Sequence, residues 1–316
     1  MLYTGIMLTV LAAVYAVSYV CYRMAFYSPP RKPLEGDAVP TPIGEIYDPF
    51  RPAMERWVRE ARAMPRENVS IKSFDGLTLR GWYYEYAPGA PIELMMHGYR
   101  GDGERDLSGG VQRCFACGRS ALVVDQRAGG RSDGKTITMG IHERRDCLSW
   151  VDFMVKKFGP DVKIILTGIS MGAATVVMAG GEELPPNVVG ILADCGYSSA
   201  KEIMYKVIRE MGLPPKLSFP FVRMGAILFG HFDPVETSPA EALVKCKVPV
   251  IFFHGENDDF VPCDMSRRLY ELCPTRKAIM TVPGAGHGLS YALQPKEYRE
   301  FLGDFFGPEL SFPPEN

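Results

Sequence analysis

Three residues far apart in the sequence have the side chains needed for nucleophilic attack on an acyl group. Ser170 lies in Gly168-Ile169-Ser170-Met171-Gly172, which fits the pattern G-x-S-x-G. A serine hydroxyl is a poor nucleophile near neutral pH and needs a base, which in turn needs an acid to orient it. Asp258 and His287 follow Ser170 in the chain order that accompanies this pattern. The sequence therefore predicts Ser170 as nucleophile, His287 as base and Asp258 as orienting acid.

The acid has a competitor in the neighbouring residue, Asp259. The spacing His254-Gly255-Glu256-Asn257-Asp258 fits H-G-x-x-D and favours Asp258. The other histidines are weaker candidates than His287 for the role of base. Of the five histidines, His287 alone lies in a glycine-rich loop after the last predicted strand.

Attack by Ser170 also requires donors for the oxyanion of the tetrahedral intermediate. The backbone N–H of Met171 follows the nucleophile and is the expected first donor. The turn after the apolar run "PIELMMHG" is the expected source of the second, most plausibly the Tyr99 N–H. The predicted oxyanion hole is therefore made of backbone groups.

The elements that must position these residues are visible as eight short apolar runs that end at polar or glycine-rich turns. Asp75-Gly76 between the first two runs is a hairpin signal, and helical stretches separate most of the others. Strands apolar on both faces that alternate with helices predict a mostly parallel sheet covered on both sides. Chemistry in such a sheet collects at the carboxyl ends of the strands, where Ser170, Asp258 and His287 stand.

The first 22 residues carry no charged side chain and as a helix would rise about 33 Å, close to the hydrocarbon thickness of a bilayer. We expect residues 1–27 to form a single-pass membrane anchor. A cleaved signal peptide is the alternative, but it would normally begin with Lys or Arg. Because Arg23, Arg31 and Lys32 all follow the apolar run, the catalytic domain is expected in the cytoplasm.

Residues 28–67 are predicted to form a Pro-rich linker and an amphipathic helix, followed by a catalytic domain over residues 68–316. The helix places Met54, Trp57, Val58 and Ala61 on one side. It could lie on the membrane surface, but packing on the domain is favoured.

Composition excludes several classes of partner and site. The chain has 316 residues, with 35 Lys and Arg against 37 Asp and Glu, so no field favours nucleic acid. Its eight cysteines do not form the dense framework of a small secreted domain. Cys114-x-x-Cys117 has no second ligand pair at zinc spacing and is interpreted as one helical turn.

Taken together, these motifs resemble the α/β-hydrolase superfamily, in particular its single-pass serine esterases and lipase-like members. The resemblance covers roughly residues 68–307 and rests on His97–Gly101, Asp125–Ser132, Gly168–Gly172, His254–Asp258 and Gly286–Gly288. It implies an α/β-hydrolase fold: a mostly parallel eight-stranded sheet flanked by helices, with a small helical cap and an N-terminal transmembrane helix. It also implies ester hydrolysis through an acyl-enzyme, without metal or organic cofactor. Ala128 stands where the family's supporting turn after the fourth strand has its first glycine.

The substrate is expected to be a short-to-medium acyl or lipid-like ester. An insertion at about 199–247 is expected to form the cap, and its many Met and Phe side chains suit acyl chains. Three alternatives stay open: a peptidase, a protein deacylase or acyltransferase with the same triad, and a non-catalytic binding protein on this fold.

Overall fold

The structure is a computed structural model that describes residues 2–29 and 38–310. The eight strands are β1 Glu67–Lys72, β2 Thr78–Tyr84, β3 Ile92–Met96, β4 Ser120–Asp125, β5 Ile164–Ile169, β6 Val188–Asp194, β7 Val250–Gly255 and β8 Lys277–Val282. The α-helices are α1 Leu2–Ala25, α2 Arg51–Ala63, α3 Gly103–Ala116, α4 Glu143–Phe158, α5 Met171–Gly180, α6 Ala200–Glu210, α7 Pro215–Gly225, α8 Pro239–Leu243, α9 Asp264–Leu272, α10 Ser290–Leu293 and α11 Pro295–Phe306. A π-helical turn, Ala226–Gly230, continues α7, and 3-10 helices lie at Glu45–Phe50 and Pro308–Leu310.

The eight strands form one sheet in the order β1-β2-β4-β3-β5-β6-β7-β8. β1 and β2 are antiparallel to their neighbours, and the other strands run parallel. The turn at Asp75-Gly76 joins β1 to β2, as the hairpin signal predicts. The predicted mostly parallel, helix-flanked sheet is therefore confirmed.

Apolar side chains cover both faces of this sheet. Every residue of β3, β4 and β7 is buried. Trp150 of α4 is fully buried in the cluster on one face, and Phe253 stacks on Tyr298 of α11 in the cluster on the other. Burial on both faces explains why these strands are continuous apolar runs without alternation. The packed sheet fixes the loops at its carboxyl edge.

Helix α1 is long and apolar enough to cross a membrane, since Tyr3–Ala25 contains an 18-residue stretch with a mean hydropathy of 1.9. By length and composition it matches a membrane anchor and a signal sequence equally. Its second half contacts the rest of the protein: Ser18, Tyr22 and the following Phe26 are buried. The Tyr22 hydroxyl also lies 2.7 Å from Thr136 Oγ1. The first half of α1 is exposed.

The insertion at 199–247 folds as α6, α7, the π-helical turn and α8, and it packs against α1. Gly225 lies so close to this helix that a Cβ there would meet the Ser18 carbonyl oxygen at 2.3 Å. The Phe229 ring lies 4.9 Å from the Tyr15 ring and 5.1 Å from the Tyr19 ring. A small residue at the crossing and aromatic rings around it are what close helix packing needs.

The described segment that precedes β1 lies on the surface of the rest of the protein. Of the Pro-rich stretch, residues 30–37 are outside the described residues. Helix α2 packs on α3, where a Cβ at Gly109 would be 2.7 Å from the Trp57 ring. Arg62 of α2 pairs with Glu104 of α3 at 2.8 Å. The favoured alternative for the amphipathic helix, packing on the domain, is the arrangement found.

Candidate active site

The chain turns sharply between β5 and α5, with Ser170 at the apex. Ser170 has φ 57 and ψ −119, in a backbone region that L-residues rarely adopt. The flanking glycines permit the turn. A Cβ at Gly168 would be 2.2 Å from the Gly172 carbonyl carbon, and a Cβ at Gly172 would be 2.0 Å from the Met96 carbonyl oxygen. The strained turn holds the Ser170 hydroxyl above the carboxyl edge of the sheet.

The structure brings together the three side chains proposed as a triad. His287 Nε2 lies 2.9 Å from Ser170 Oγ, and His287 Nδ1 lies 2.7 Å from Asp258 Oδ2. Asp258 and Ser170 are buried, whereas the competing acid Asp259 is exposed. With Asp258 ionised, Nδ1 carries the ring proton, so Nε2 is free to accept the serine proton.

Hydrogen bonds keep Asp258 ionised. Burial alone would raise its pKa, but bonds from His254, His287 and the Val261 N–H hold the pKa of this carboxyl well below its usual range. The Phe260 N–H donates to the same Oδ1 oxygen at 2.9 Å. A carboxylate held by several donors is a fixed negative charge next to the imidazole.

His254 has a role that the sequence did not reveal. It is fully buried at the end of β7, with Nε2 at 3.2 Å from Asp258 Oδ2 and 2.8 Å from the Val261 carbonyl oxygen. Its Nδ1 lies 2.7 Å from Ser266 Oγ. His254 therefore stabilises the loop that carries Asp258. In the sequence, only the H-G-x-x-D spacing relates the two residues.

The turn after β3 lies beside the nucleophile. The Gly98 N–H donates to Asp106 Oδ2 at 3.1 Å, and a Cβ on Gly98 would be 3.4 Å from Ser170 Cβ. The Gly98 N–H thus already has an acceptor, so the next N–H along the turn, that of Tyr99, is the expected donor. Met171 is the first residue of α5, where an N–H has no intrahelical acceptor. Both expected oxyanion donors stay predictions.

The same turn is tied to α1. The Tyr99 hydroxyl donates to the Ala25 carbonyl at 2.8 Å. Arg100, at φ 50, donates from Nη2 to the Met24 carbonyl at 2.7 Å. The last turn of the apolar helix therefore contacts the loop on which an oxyanion donor is expected.

A cavity of about 560 Å³ opens at Ser170 and His287. One wall comes from the segment that precedes β1, with Ile43, Tyr47, Met54 and Trp57. The remaining walls come from α3, the sheet and the α10 region. Within the part of the chain that the structure describes, residues 199–247 contribute nothing to this lining. The expectation that the cap supplies the acyl surface is wrong for this cavity, because the cap packs against α1 instead.

A buried polar cluster around Glu93 borders the cavity. Glu93 in β3 is fully buried and accepts from Arg113 Nη2, from Arg119 Nη1 at 2.9 Å and from Thr167 Oγ1 at 2.9 Å. Despite burial, the two guanidinium groups lower the pKa of Glu93 to about 2. Arg113, Thr167 and Asp194 line the cavity. This cluster was not predictable from the sequence, because Glu93 lies inside an apolar run.

The loop after β4 supports the site from behind. Asp125 accepts from the Gly103 N–H at 2.9 Å and from the Arg131 N–H at 3.0 Å. Ala128 has φ 58, in the left-handed region that favours glycine. Its substitution for the family's glycine therefore keeps the turn but leaves a strained residue in it.

Among the described residues, one group of side chains has the types and spacing to hold a metal ion: Cys195, Asp258 and His287, whose ligand atoms lie within 4.8 Å of one another. Burial raises the pKa of the Cys195 thiol well above its usual value, which disfavours a thiolate ligand. Both nitrogens of His287 already contact Asp258 and Ser170. Metal ligation there would require those contacts to break.

Comparisons with known proteins agree with this architecture. The family model described as "Serine hydrolase (FSH1)" matches residues 141–289, which include Ser170, Asp258 and His287. The esterase Pf2001 of Pyrococcus furiosus superposes with a TM-score of 0.64 at 20% identity, covering 84% of this chain and 96% of that one. At that identity the similarity establishes the fold alone.

Two sequence relatives extend the comparison. Protein YqkD of Bacillus subtilis strain 168 is 30% identical over 189 residues, which are 60% of this chain and 62% of YqkD. The thiohydrolase apmlB of Arthrinium phaeospermum is 34% identical over 135 residues, 41% of this chain and 42% of that protein. The chain thus spans less than two thirds of the length of either relative.

Proposed function

We propose that this chain, whose fold is that of the α/β-hydrolase esterases, is a serine hydrolase that cleaves carboxylic esters with Ser170, His287 and Asp258. The observation that carries this proposal is the continuous hydrogen-bonded line from Ser170 Oγ through both imidazole nitrogens to Asp258. The cavity that begins at Ser170 supports it, because an acyl group needs a largely apolar space next to the nucleophile.

Each group has a defined part in the reaction. Ser170 Oγ attacks the ester carbonyl carbon while His287 Nε2 takes the hydroxyl proton, and the carbonyl electron pair moves to the oxygen. The Tyr99 and Met171 N–H groups hold that oxyanion. Collapse expels the alcohol, which takes the proton from His287. Water then attacks the acyl-enzyme with His287 as base, releasing the acid and restoring Ser170.

A fluorophosphonate probe tests this assignment. We expect the wild-type protein to be labelled and Ser170→Ala to be unlabelled, since the probe reacts only with an activated serine hydroxyl. Ser149→Ala, a change at a half-buried serine on α4, is the matched control and should label like the wild type. A folded wild-type protein that is not labelled would instead support a non-catalytic binding protein on this fold.

The substrate class we propose is a short-to-medium acyl or lipid-like ester. Support comes from the apolar wall of Ile43, Met54 and Trp57. p-Nitrophenyl esters of increasing acyl length measure this preference, and failure to hydrolyse any of them would count against it. The relative named a thiohydrolase favours adding matched thioesters to the series. Added alcohol or amine acceptors separate hydrolysis from acyl transfer, and peptide substrates test the peptidase alternative.

For location, we propose that residues 1–27 are a membrane anchor and that the domain of residues 68–316 faces the cytoplasm. The buried Ser18, Tyr22 and Phe26 support retention of α1, because removal of a signal peptide would uncover the apolar surface on which they pack. Arg23, after the apolar run, supports the orientation. Protease sensitivity of the domain in intact cells would reverse it.

A further inference from the structure

The part of α1 that lies beyond its contact with the cap is too short to cross a bilayer by itself. The contact between the cap and α1 extends toward the N-terminus of α1 as far as Tyr15, whose ring packs on Phe229. Tyr3 to Val14 rise only about 18 Å as an α-helix. A bilayer's hydrocarbon core is about 30 Å thick. If α1 spans the bilayer, Tyr15 to Tyr22 therefore lie at the depth of the hydrocarbon core. The residues that pack on them lie at the same depth.

The cap surface at that level is apolar and exposed. Leu217 of α7 is 71% exposed and Met224 is 37% exposed, while Leu228 of the π-helical turn is 45% exposed. Leu217, Phe221 and Met224 are spaced i, i+4 and i+7, so they share one face of α7. Arg223 on the neighbouring stripe pairs with Asp233 at 2.7 Å, and its long stem allows the charge to reach headgroup level. This face continues the apolar surface of α1.

We propose that the cap face formed by Leu217, Phe221, Met224 and Leu228 inserts into the same leaflet that α1 enters, so that the protein is held by a helix and a monotopic surface together. The proposal rests on the anchor proposed above, and its occupant is the acyl region of a lipid bilayer. Each large apolar side chain that inserts contributes a favourable free energy of transfer from water to lipid. These contributions add to that of the helix.

Depth-dependent fluorescence quenching tests this surface in the full chain. Cys21 and Cys117, the two free cysteines that are not buried, are first replaced by Ala. Single cysteines are then placed at Val10, Leu217, Leu228 and Leu272 and labelled with an environment-sensitive dye. The protein is reconstituted in phosphatidylcholine vesicles with or without doxyl-labelled lipid. Leu272 is the matched control, an exposed leucine on α9.

We expect the labels at 10, 217 and 228 to lose most of their emission to the doxyl lipid, and the label at 272 to respond only to aqueous iodide. Quenching at 10 but not at 217 and 228 would overturn the cap surface while leaving the anchor. Absence of lipid quenching at all four positions would overturn both.

Discussion

At the scale of single residues, substitutions of Asp258 and Asp259 test which of these two adjacent carboxylates orients His287. Asp258→Asn replaces an ionised acceptor and disturbs the tautomer of His287, so we expect kcat to fall by roughly 10⁴-fold with the fold retained. Asp259→Asn should leave kcat near the wild-type value. Steady-state rates with the best p-nitrophenyl ester measure both. Equal activity in the two variants would contradict the role assigned to Asp258.

The glycines around Ser170 give a residue-scale test of stability. Gly172→Ala would place a Cβ 2.0 Å from the Met96 carbonyl oxygen, so β3 and α5 must separate. We expect the free energy of unfolding to drop by about 1–3 kcal/mol. Gly303→Ala meets no atom within 4 Å inside α11 and should raise it by about 0.5–1 kcal/mol. Chemical denaturation of both variants measures whether the free energy of unfolding falls or rises in each.

At the scale of elements, α1 and the turn after β3 are coupled by a hydrogen bond that uses a side chain. Tyr99→Phe removes the bond to the Ala25 carbonyl but keeps the Tyr99 N–H. If that N–H holds the oxyanion, loosening its turn should lower kcat about fivefold and leave KM nearly unchanged. Tyr270→Phe on α9 is the matched control. A change in KM alone would show that Tyr99 acts on substrate binding.

The elements themselves were largely predictable. Eight apolar runs gave eight strands, because a strand buried on both faces leaves a continuous hydrophobic signature in the sequence. The approach of Ser170, Asp258 and His287 followed from the rule that parallel strands place their carboxyl ends at one edge. Side-chain partners across elements, such as the contact of His254 with Asp258, carry no such periodic signal.

Two larger features were beyond sequence reasoning for a physical reason. The cavity wall comes from Ile43 to Trp57, and the cap turns instead to α1. Both arrangements depend on which apolar surfaces meet in three dimensions, and periodicity identifies an apolar face without identifying its partner. The ion pairs of the buried Glu93 could not be predicted for the same reason, since its partners Arg113 and Arg119 lie 20 and 26 positions later in the chain.

At the scale of the whole molecule, the Glu93 cluster links stability to pH. Its folded pKa of about 2 lies below its ordinary value, so its contribution is complete above about pH 4.5 and is lost as pH falls toward 2. Glu93→Gln leaves two buried cations and should cost about 3–5 kcal/mol at pH 7. Unfolding curves from pH 7 to pH 3 should show the gap between variant and wild type narrowing with acidity. A constant gap would contradict the linkage.

The placement of α2 and the segment before it bears on how a soluble enzyme should be prepared. Trimming to Asn68, the start of the proposed catalytic domain, deletes Ile43, Tyr47, Met54 and Trp57. Such a fragment keeps Ser170, His287 and Asp258 yet has a cleft open to water along one side. Its reactivity toward small, activated esters would therefore misrepresent the selectivity of the intact polypeptide.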